Sequence, residues 1–575
     1  MSNIRIGVYV CWCGTNIAKM VDVKQVAEAV GNMDDVVISK DYKYMCSDPG
    51  QELIIKDIKE HKLNRVVVSA CSPRIHELTF RKALENAGLN AYLFQMANIR
   101  EQVSWVHVNR KEATKKAIAL VRGAINRVRW HEPLEKRRVD VNPATLIIGG
   151  GIAGMSAALE IARADKQVIL LEKEKELGGQ LRFVNRTFPD FIPTSDFLEP
   201  MKDDVLHHPR ISVLTEANLN ELHGYIGNFI GHIQTGAKEL KVEFGNIIVA
   251  SGLKPFNPAP MENYGYGKLP NVITSLELEK MLQTGEIRQT NRKLPEKVAI
   301  IHCVGSRSSQ YHEFCSSTCC MTALKYSNQV LDMLPNSQVY QLYADMRAMG
   351  KGCEELYTAT SRKNVMFLMY DQEDGLPYIR KAGPKEDCNL LIEVNEKLSG
   401  ERIEVPADLV VLMVGMEAHE QAKKLGQTVG ISLCGNEFYI EKHPKLDPVA
   451  TTTDGVYVSG SCQSPKNISD SITQAKAAAA RILATINYGS VEVEVTTAHV
   501  NEDICCGCQT CVRVCPYGAI SYIADDRVSR VNEVLCKGCG TCTTSCPTGA
   551  ISSRHFTEKQ ILSQIEGVML ELMEN

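Results

Sequence analysis

The chain lacks the features that announce a polyanionic or membrane partner. Its 64 basic and 68 acidic residues leave a formal charge of −4 over 575 residues, too small to imply nucleic-acid or membrane-surface binding. The opening residues, MSNIRIGVYVCWCG, have no clear apolar core and no small-residue cleavage site, so they do not read as a secretory signal. No stretch reads as a membrane span. Residues 144–162 are apolar enough to mimic one, but three consecutive glycines and Glu160 interrupt them and favour a buried strand, turn and helix. These absences imply a cytoplasmic protein, and they give meaning to the one compositional outlier. There are 21 cysteines, many of them grouped, and thiols in a reducing compartment more often ligate metal than form disulfides. Hydrophobic residues make up an ordinary 44%, in a chain long enough for several domains.

The densest cysteine runs lie near the C-terminus. Cys505, Cys508, Cys511 and Cys515 are followed by Pro516, and Cys536, Cys539, Cys542 and Cys546 by Pro547. Each run has the bacterial ferredoxin spacing, in which three thiolates hold one [4Fe–4S] cube and the fourth crosses to the other. One cube is therefore assigned to Cys505, Cys508, Cys511 and Cys546, and the other to Cys536, Cys539, Cys542 and Cys515. Paired zinc knuckles also use such pairs, but zinc needs four thiolates per ion and gives no reason for the doubled pattern or its prolines. Cys506 is surplus and reads as an inert neighbour.

Residues 145–148 form a short apolar strand that runs into Gly149, Gly151 and Gly154, then an alanine-rich helix and a second strand ending at Glu172. This is the dinucleotide fingerprint in its required setting: the glycines admit the pyrophosphate to the helix N-terminus, and Glu172 is placed to accept from a ribose hydroxyl. Gly178, Gly179 and Gln180 follow, then a strand at 246–250 ending in Ser251–Gly252, and later TTTDGVYVSGSCQ around Gly460. That order resembles the FAD domain of two-dinucleotide-domain flavoproteins such as thioredoxin reductase, and it favours FAD over NAD.

Such proteins interrupt the FAD domain with a nicotinamide-binding domain that has its own glycine turn. Here the strand VAIIHCVGSR has no such turn. Instead Cys303, Cys315, Cys319 and Cys320 stand at its exit, leading into a helical run. Four thiols at this spacing can ligate a cube. The alternative, a redox dithiol with two structural cysteines, lacks the usual C-x-x-C pair. In the N-terminal 130 residues, apolar strands at 4–10, 36–39 and 65–70 alternate with helices. Cys11, Cys13, Cys46 and Cys71 each follow a strand, so they could converge on one sheet edge, or else serve as small buried hydrophobes. Residues 110–138 read as a solvated helix face and connector, and His76 and His107 as lone residues. Cys353, Cys388, Cys434 and Cys462 have no partners at ligand spacing and read as structural.

These motifs in this order resemble the heterodisulfide reductase A family, a group of iron–sulfur flavoproteins. The matching stretches are residues 8–18, 41–51, 67–77, the flavin fingerprint, 303–327 and the terminal ferredoxin. Longer members carry a further two-cluster insert early in the FAD domain, whereas residues 185–245 here hold no cysteine. The resemblance implies four [4Fe–4S] clusters and FAD as the site of electron bifurcation, one electron going uphill to a low-potential ferredoxin and the other downhill to a disulfide. It also implies that Lys325 lies beside flavin N5; without the resemblance, Lys325 reads as a solvated helix lysine. Implied partners are B/C-type subunits of the same reductase, a hydrogenase, formate or NADH dehydrogenase as donor, ferredoxin, and a second copy of the chain, with no nucleic acid and no membrane insertion. Competing readings are a plain relay to a quinone-linked complex and a self-contained NAD(P)H:ferredoxin oxidoreductase.

The expected fold class is α/β: a two-dinucleotide-domain, thioredoxin-reductase-like flavoprotein core with an N-terminal α/β domain and a C-terminal 2[4Fe–4S] ferredoxin domain. The expected segments are an N-terminal domain at 1–140, a first FAD part at 141–295, a second Rossmann-like domain at 296–415, a closing FAD part at 416–490 and a ferredoxin at 491–575.

Overall fold

The computed structural model describes residues 4–493 and 495–573. The chain divides into two compact units, Met1–Arg138 with Glu492–Asn575, and Val139–Val491. The first unit is thus built from the two ends of the chain. Among the described residues no helix is long and apolar enough to cross a membrane.

The N-terminal part of the first unit is a four-stranded parallel sheet in the order Val36–Tyr42, Ile6–Cys11, Arg65–Ala70, Phe94–Asn98. Residues of Ile6–Cys11 alternate between two cores. Ile6, Val8 and Val10 face helices Val23–Gly31 and Arg110–Val128, while Tyr9 and Cys11 face Asp48–Glu60 and Pro73–Asn86. A strand buried on both faces reads as a continuous apolar run, and this one does. Chain order along the sheet reverses at the pair Ile6–Cys11 and Arg65–Ala70, which is where open parallel sheets place ligands, beyond the strand C-termini.

The ferredoxin part pairs Ala498–Val500 with Ile551–Ser553 and Ile520–Ile523 with Val528–Val531, both antiparallel. It continues into helix Glu558–Met573, which lies along Arg110–Val128. Helices cross closely only where side chains vanish: a Cβ on Gly567 would come within 2.8 Å of Gly123 Cα. Helix 110–128 is therefore more than a solvated face. Arg127 is buried beneath the ferredoxin part, donating to His555 O (2.7 Å) and Gln564 Oε1 (2.8 Å) and stacking on Phe556.

The second unit contains two five-stranded parallel sheets of similar plan. The first runs Val456–Val458, Asn246–Val249, Thr145–Ile148, Val168–Leu171, Ile211–Leu214. Helices Ile152–Arg163 and Ile468–Tyr488 pack together on one face, and a three-stranded antiparallel meander, Ala217–Tyr225, Asn228–Thr235 and Lys238–Phe244, packs on the other. The second sheet runs Val272–Thr274, Leu409–Val414, Lys297–Val304, Gln338–Tyr343, Val365–Met369, with its own meander at Tyr378–Lys381, Leu390–Asn395 and Arg402–Ala407. The strand Val272–Thr274 falls within the segment expected to belong to the first FAD part, yet it pairs into the second sheet. Three residues carry too little periodicity to show that allegiance in the sequence.

Where the two parts of the first unit meet, His131 and His555 stack with ring centroids 4.3 Å apart. His131 is 3% exposed and its ring N–H donates to Tyr92 O (3.2 Å). Burial, with His555 and Arg127 nearby, pushes the His131 pKa down to about 3. Arg65, Arg81 and Arg127 surround the two rings, and the Tyr92 carbonyl at His131 and Glu132 at His555 offset them only in part. An unfolded histidine titrates near ~6.5, so below that pH the unfolded state binds the extra proton. The stability contributed by the neutral ring is complete above ~6.5 and is lost as pH falls from there toward about 3. We expect the protection factors of amides in helix Glu558–Met573, exchange rates taken relative to the intrinsic rate at each pH, to fall on mild acidification, and His131→Phe to blunt that response.

Candidate functional site

The first sheet places its dinucleotide turn as the fingerprint requires. Gly154 packs directly against the turn: a Cβ there would sit 1.8 Å from Gly149 O. Gly151, the N-cap of helix Ile152–Arg163, has nothing within 4 Å of where its Cβ would be, so the helix N-terminus opens into free space. That space is a cavity of about 1330 Å³, lined by Gly149, Gly151, Glu172, Gly178, Gly179, Gln180, Gly252 and Gly460. Of the nine dinucleotide-site residues expected from the sequence, only Gly154 stands behind the wall. Glu172 does more than face the cavity. Its Oε2 accepts from Gly150 N (2.7 Å) and its Oε1 from Glu174 N (2.9 Å), so the carboxylate also holds the glycine turn, each oxygen keeping a lone pair for a ligand hydroxyl.

Lys325 lines the same cavity and is only 1% exposed, which corrects its reading as a solvated lysine. Its Nζ is ion-paired with Glu279, donates to Arg186 O (2.8 Å), and lies 4.8 Å from the Tyr326 ring centroid. Tyr326 Oη also donates to Glu279 Oε1 (3.0 Å), and the carboxylate accepts from Asn185 N (2.8 Å). Burial lowers the lysine pKa and Glu279 opposes that fall. Glu279 and Tyr326 were not singled out from the sequence. The signal was present: in helix Ser275–Thr284 the buried positions are Ser275, Leu278, Glu279 and Leu282, so an acid occupies the apolar stripe.

Helix Cys319–Met333 carries Lys325 and begins with the middle cysteines. Cys319 shares its thiol with Cys303 and Cys320; those hydrogen bonds hold both neighbours below the usual thiol range and push Cys319 above it. Cys319 itself lines the cavity. Three of the four expected thiols are thus gathered. Cys315 lies on the preceding loop, half-buried, accepting from Ser317 N (3.3 Å). Behind them His302, fully buried, is joined to Gln341 Oε1 (2.9 Å). Cys353, expected to be structural, starts helix Cys353–Ser361 on the cavity wall, whereas Cys462 is packed beneath the first sheet as expected, donating to Val249 O (3.2 Å).

In the first unit, Cys11 ends its strand and Cys71 follows its own at the switch point of the sheet. Cys13 and Cys46 lie close enough to act electrostatically on Cys11, as Cys13 and Cys11 do on Cys71. Backbone donors aim at the sulfurs, from Cys13 N (3.3 Å) and Met45 N (3.4 Å) to Cys11, and Arg100 donates to Cys13 Sγ (3.3 Å). Arg100 was not anticipated, since nothing in the sequence ties it to residues so distant. In the ferredoxin part Cys515, Cys536, Cys539 and Cys542 line one recess, the quartet that crossover spacing demands. Burial raises Cys542 to about 11, and the other three thiols of the recess push the same way. Backbone N–H groups point at Cys536 (Ala498, 3.3 Å) and Cys515 (Ala519, 3.3 Å). Cys508 is exposed and shares a hydrogen bond with Cys506, so the surplus thiol does touch an expected ligand.

A single tetrahedral zinc would hold thiolates roughly 3.8 Å apart, given Zn–S bonds of about 2.3 Å. Among the described residues the groups of three or more possible ligands whose donor atoms lie within 4.8 Å of one another are Glu221–His223–His232 and Asp57–Glu60–His61, neither containing cysteine. The thiols are gathered more loosely than one zinc ion requires.

Replacing Gly154 by Ala forces its methyl into Gly149 O, so the turn must open. Gly154→Ala should be purified with well under half the flavin of the parent protein, by absorbance near 450 nm, with ferredoxin iron retained.

Comparison with known proteins agrees with this geometry. A family model described as FAD binding domain matches residues 144–185, and one described as 4Fe-4S dicluster domain matches residues 504–551. The second iron–sulfur A protein of the CoB–CoM heterodisulfide reductase of Methanopyrus kandleri is 41% identical, covering 98% of this chain and 98% of that one. Its counterpart in the H(2):CoB-CoM heterodisulfide,ferredoxin reductase of Methanothermobacter thermautotrophicus is 39% identical, covering 99% and 98%. The alignment with the former spans 650 positions against 575 residues here, so that relative holds segments without a counterpart in this chain. Among solved structures, Lactococcus lactis thioredoxin reductase is 17% identical over 60% of this chain and 99% of its own, with a TM-score of 0.41. The chain belongs to the heterodisulfide reductase A family, and it is an FAD- and [4Fe–4S]-containing electron-transfer component of an oxidoreductase.

Proposed function

We propose that this protein divides electron pairs at its flavin, sending one electron toward a low-potential ferredoxin and the other toward a disulfide-reducing partner. One observation carries the reading: a single helix, Cys319–Met333, presents the cluster-type thiol of Cys319 at its start and the buried Lys325 six residues on, both on the wall of one cavity. At ~1.5 Å rise per residue these positions are about 9 Å apart along the axis, so flavin and middle cluster would be near neighbours. FAD, when bound, supplies the junction between two-electron and one-electron chemistry. Lys325 would hold a positive charge against the reduced ring, and Glu279 would set how much of that charge is felt. A buried ion pair of this kind has little net field until the proton balance shifts, which suits a site that must favour reduction by pairs.

Four cubes are proposed. Cys505, Cys508, Cys511 and Cys546 hold one, and Cys515, Cys536, Cys539 and Cys542 the second. Cys303, Cys315, Cys319 and Cys320 hold the third, Cys315 moving in from its loop, and Cys11, Cys13, Cys46 and Cys71 the fourth. The relatives' names support the partners. They include H(2), formate and F(420)H(2) among the reactants, together with ferredoxin and the CoB-CoM heterodisulfide. By that analogy the chain works with B/C-type subunits and an external donor enzyme, as one copy of a dimer. The absence of cysteine at residues 185–245 would remove the electron entry path that longer relatives place in an insert.

Anaerobically purified protein should contain one FAD and about 16 irons per chain, from four cubes. A value near ~12 would remove the N-terminal cube, and near ~8 the middle cube as well. Redox titration of the bound flavin should show a single two-electron wave; two separated one-electron waves would instead favour the plain relay. The paired variant Lys325→Met/Glu279→Gln, which leaves no unpaired charge buried, should keep its FAD and iron. In the assembled complex it should lose about tenfold or more of donor-driven ferredoxin reduction, a barrier change of ~1.4 kcal/mol. Unchanged ferredoxin reduction would sink the role given to this pair.

A further inference from the structure

The meander of the first FAD sheet carries a group of side chains that the flavin and cluster chemistry does not use. Glu221 and His223 lie on strand Ala217–Tyr225, and His232 lies directly opposite Glu221 on Asn228–Thr235. Their three donor atoms fall within 4.8 Å of one another. His223 Nε2 is 3.3 Å from Glu221 Oε2, and the two imidazoles meet edge to face with centroids 5.7 Å apart.

Two further observations separate this group from a chance surface cluster. The first is the carboxylate behind His232: Nδ1–H donates to Glu239 Oε1 at 3.0 Å from the third strand. In the neutral ring that bond leaves the lone pair on Nε2, the ligating form, and a carboxylate behind a histidine is the usual outer support of a metal site. The second is the backbone. Pairing slips between His232 and Ile233, so that Asn220 is an extra residue in the first strand. A bulge re-aims neighbouring side chains and is found disproportionately beside functional sites.

We propose that Glu221, His223 and His232 form a binding site for a divalent d-block cation of the zinc class. Two imidazole nitrogens and one carboxylate oxygen make the three-ligand set typical of zinc with a water in the fourth position. Glu221 and Glu239 together balance the ion's two charges. Lys241, paired opposite His232, weakens the field without reversing it. The site adjoins the flavin cavity, because Ala217, Asn218, Leu219 and Asn220, immediately before Glu221, line its wall. A bound ion would therefore pin the bulged strand to its neighbour at the cavity's edge.

The test uses the holoprotein with FAD and clusters in place. It is dialysed anaerobically against micromolar Zn²⁺, with zinc and iron measured together and amide exchange followed across residues 217–244. The parent should retain one more zinc per chain than the His223→Ala/His232→Ala variant, at equal iron, and exchange in this segment should slow with zinc only in the parent. Glu239→Gln should weaken uptake by about 10- to 100-fold. Equal zinc in parent and double variant, or exchange in 217–244 that zinc does not change, overturns the proposal. All the substituted residues are at least partly exposed and lie outside the buried core, so loss of folding does not confuse the result.

Discussion

Keeping a lysine and a glutamate out of water is costly, and in this protein the cost is met by a meeting of three chain segments. Lys325 comes from the helix that starts with the middle cysteines, Glu279 from helix Ser275–Thr284, and the remaining partners, Arg186 O and Asn185 N, from the loop beside the flavin cavity. In a low-dielectric interior each charge is tolerated only beside the other, and removing either partner alone strands the other. The pair thereby ties the dinucleotide domain to its neighbour within the second unit. It also fixes the helix whose first turn presents Cys319 and Cys320.

Parallel sheets explain why thiols from remote positions can meet at all. In the parallel sheets the grouped thiols lie at or just beyond strand C-termini, where loops converge and backbone N–H groups are free to point at an anionic ligand. Cys11 and Cys71 use the switch point of the N-terminal sheet, and Cys303 the end of Lys297–Val304. The ferredoxin part solves the same problem differently, with two short antiparallel pairs and Cys515 reaching the recess of the second cysteine run.

Much of this was legible because its signals are local. The strand at 145–148, its glycines and the acid at its partner's end sit within one βαβ unit, and the structure reproduces the strand to the residue. The spacing of the cysteines also sends Cys515 to the other half, and Cys515 does line one recess with Cys536, Cys539 and Cys542. What could not be read depends on contacts between distant segments. The acid in the apolar stripe at Glu279 marks a buried charge, but its partner is known only once Lys325 is placed against it, and Arg100 gains its meaning only beside Cys13. Cys353 was invisible because a single cysteine has no spacing, and Val272–Thr274 because three residues have no period.

The two-ended construction of the first unit also has a consequence in time. Its N-terminal half leaves the ribosome well before helix Glu558–Met573, which packs on Arg110–Val128 through the Gly123–Gly567 crossing. The whole of Val139–Val491 is synthesised in between, a delay of between roughly 20 and 70 s at ordinary elongation rates. During that interval the apolar face of helix 110–128 can already pack on the N-terminal sheet, while its opposite side, around Gly123 and Arg127, stays open to water until the last contacts of the unit arrive.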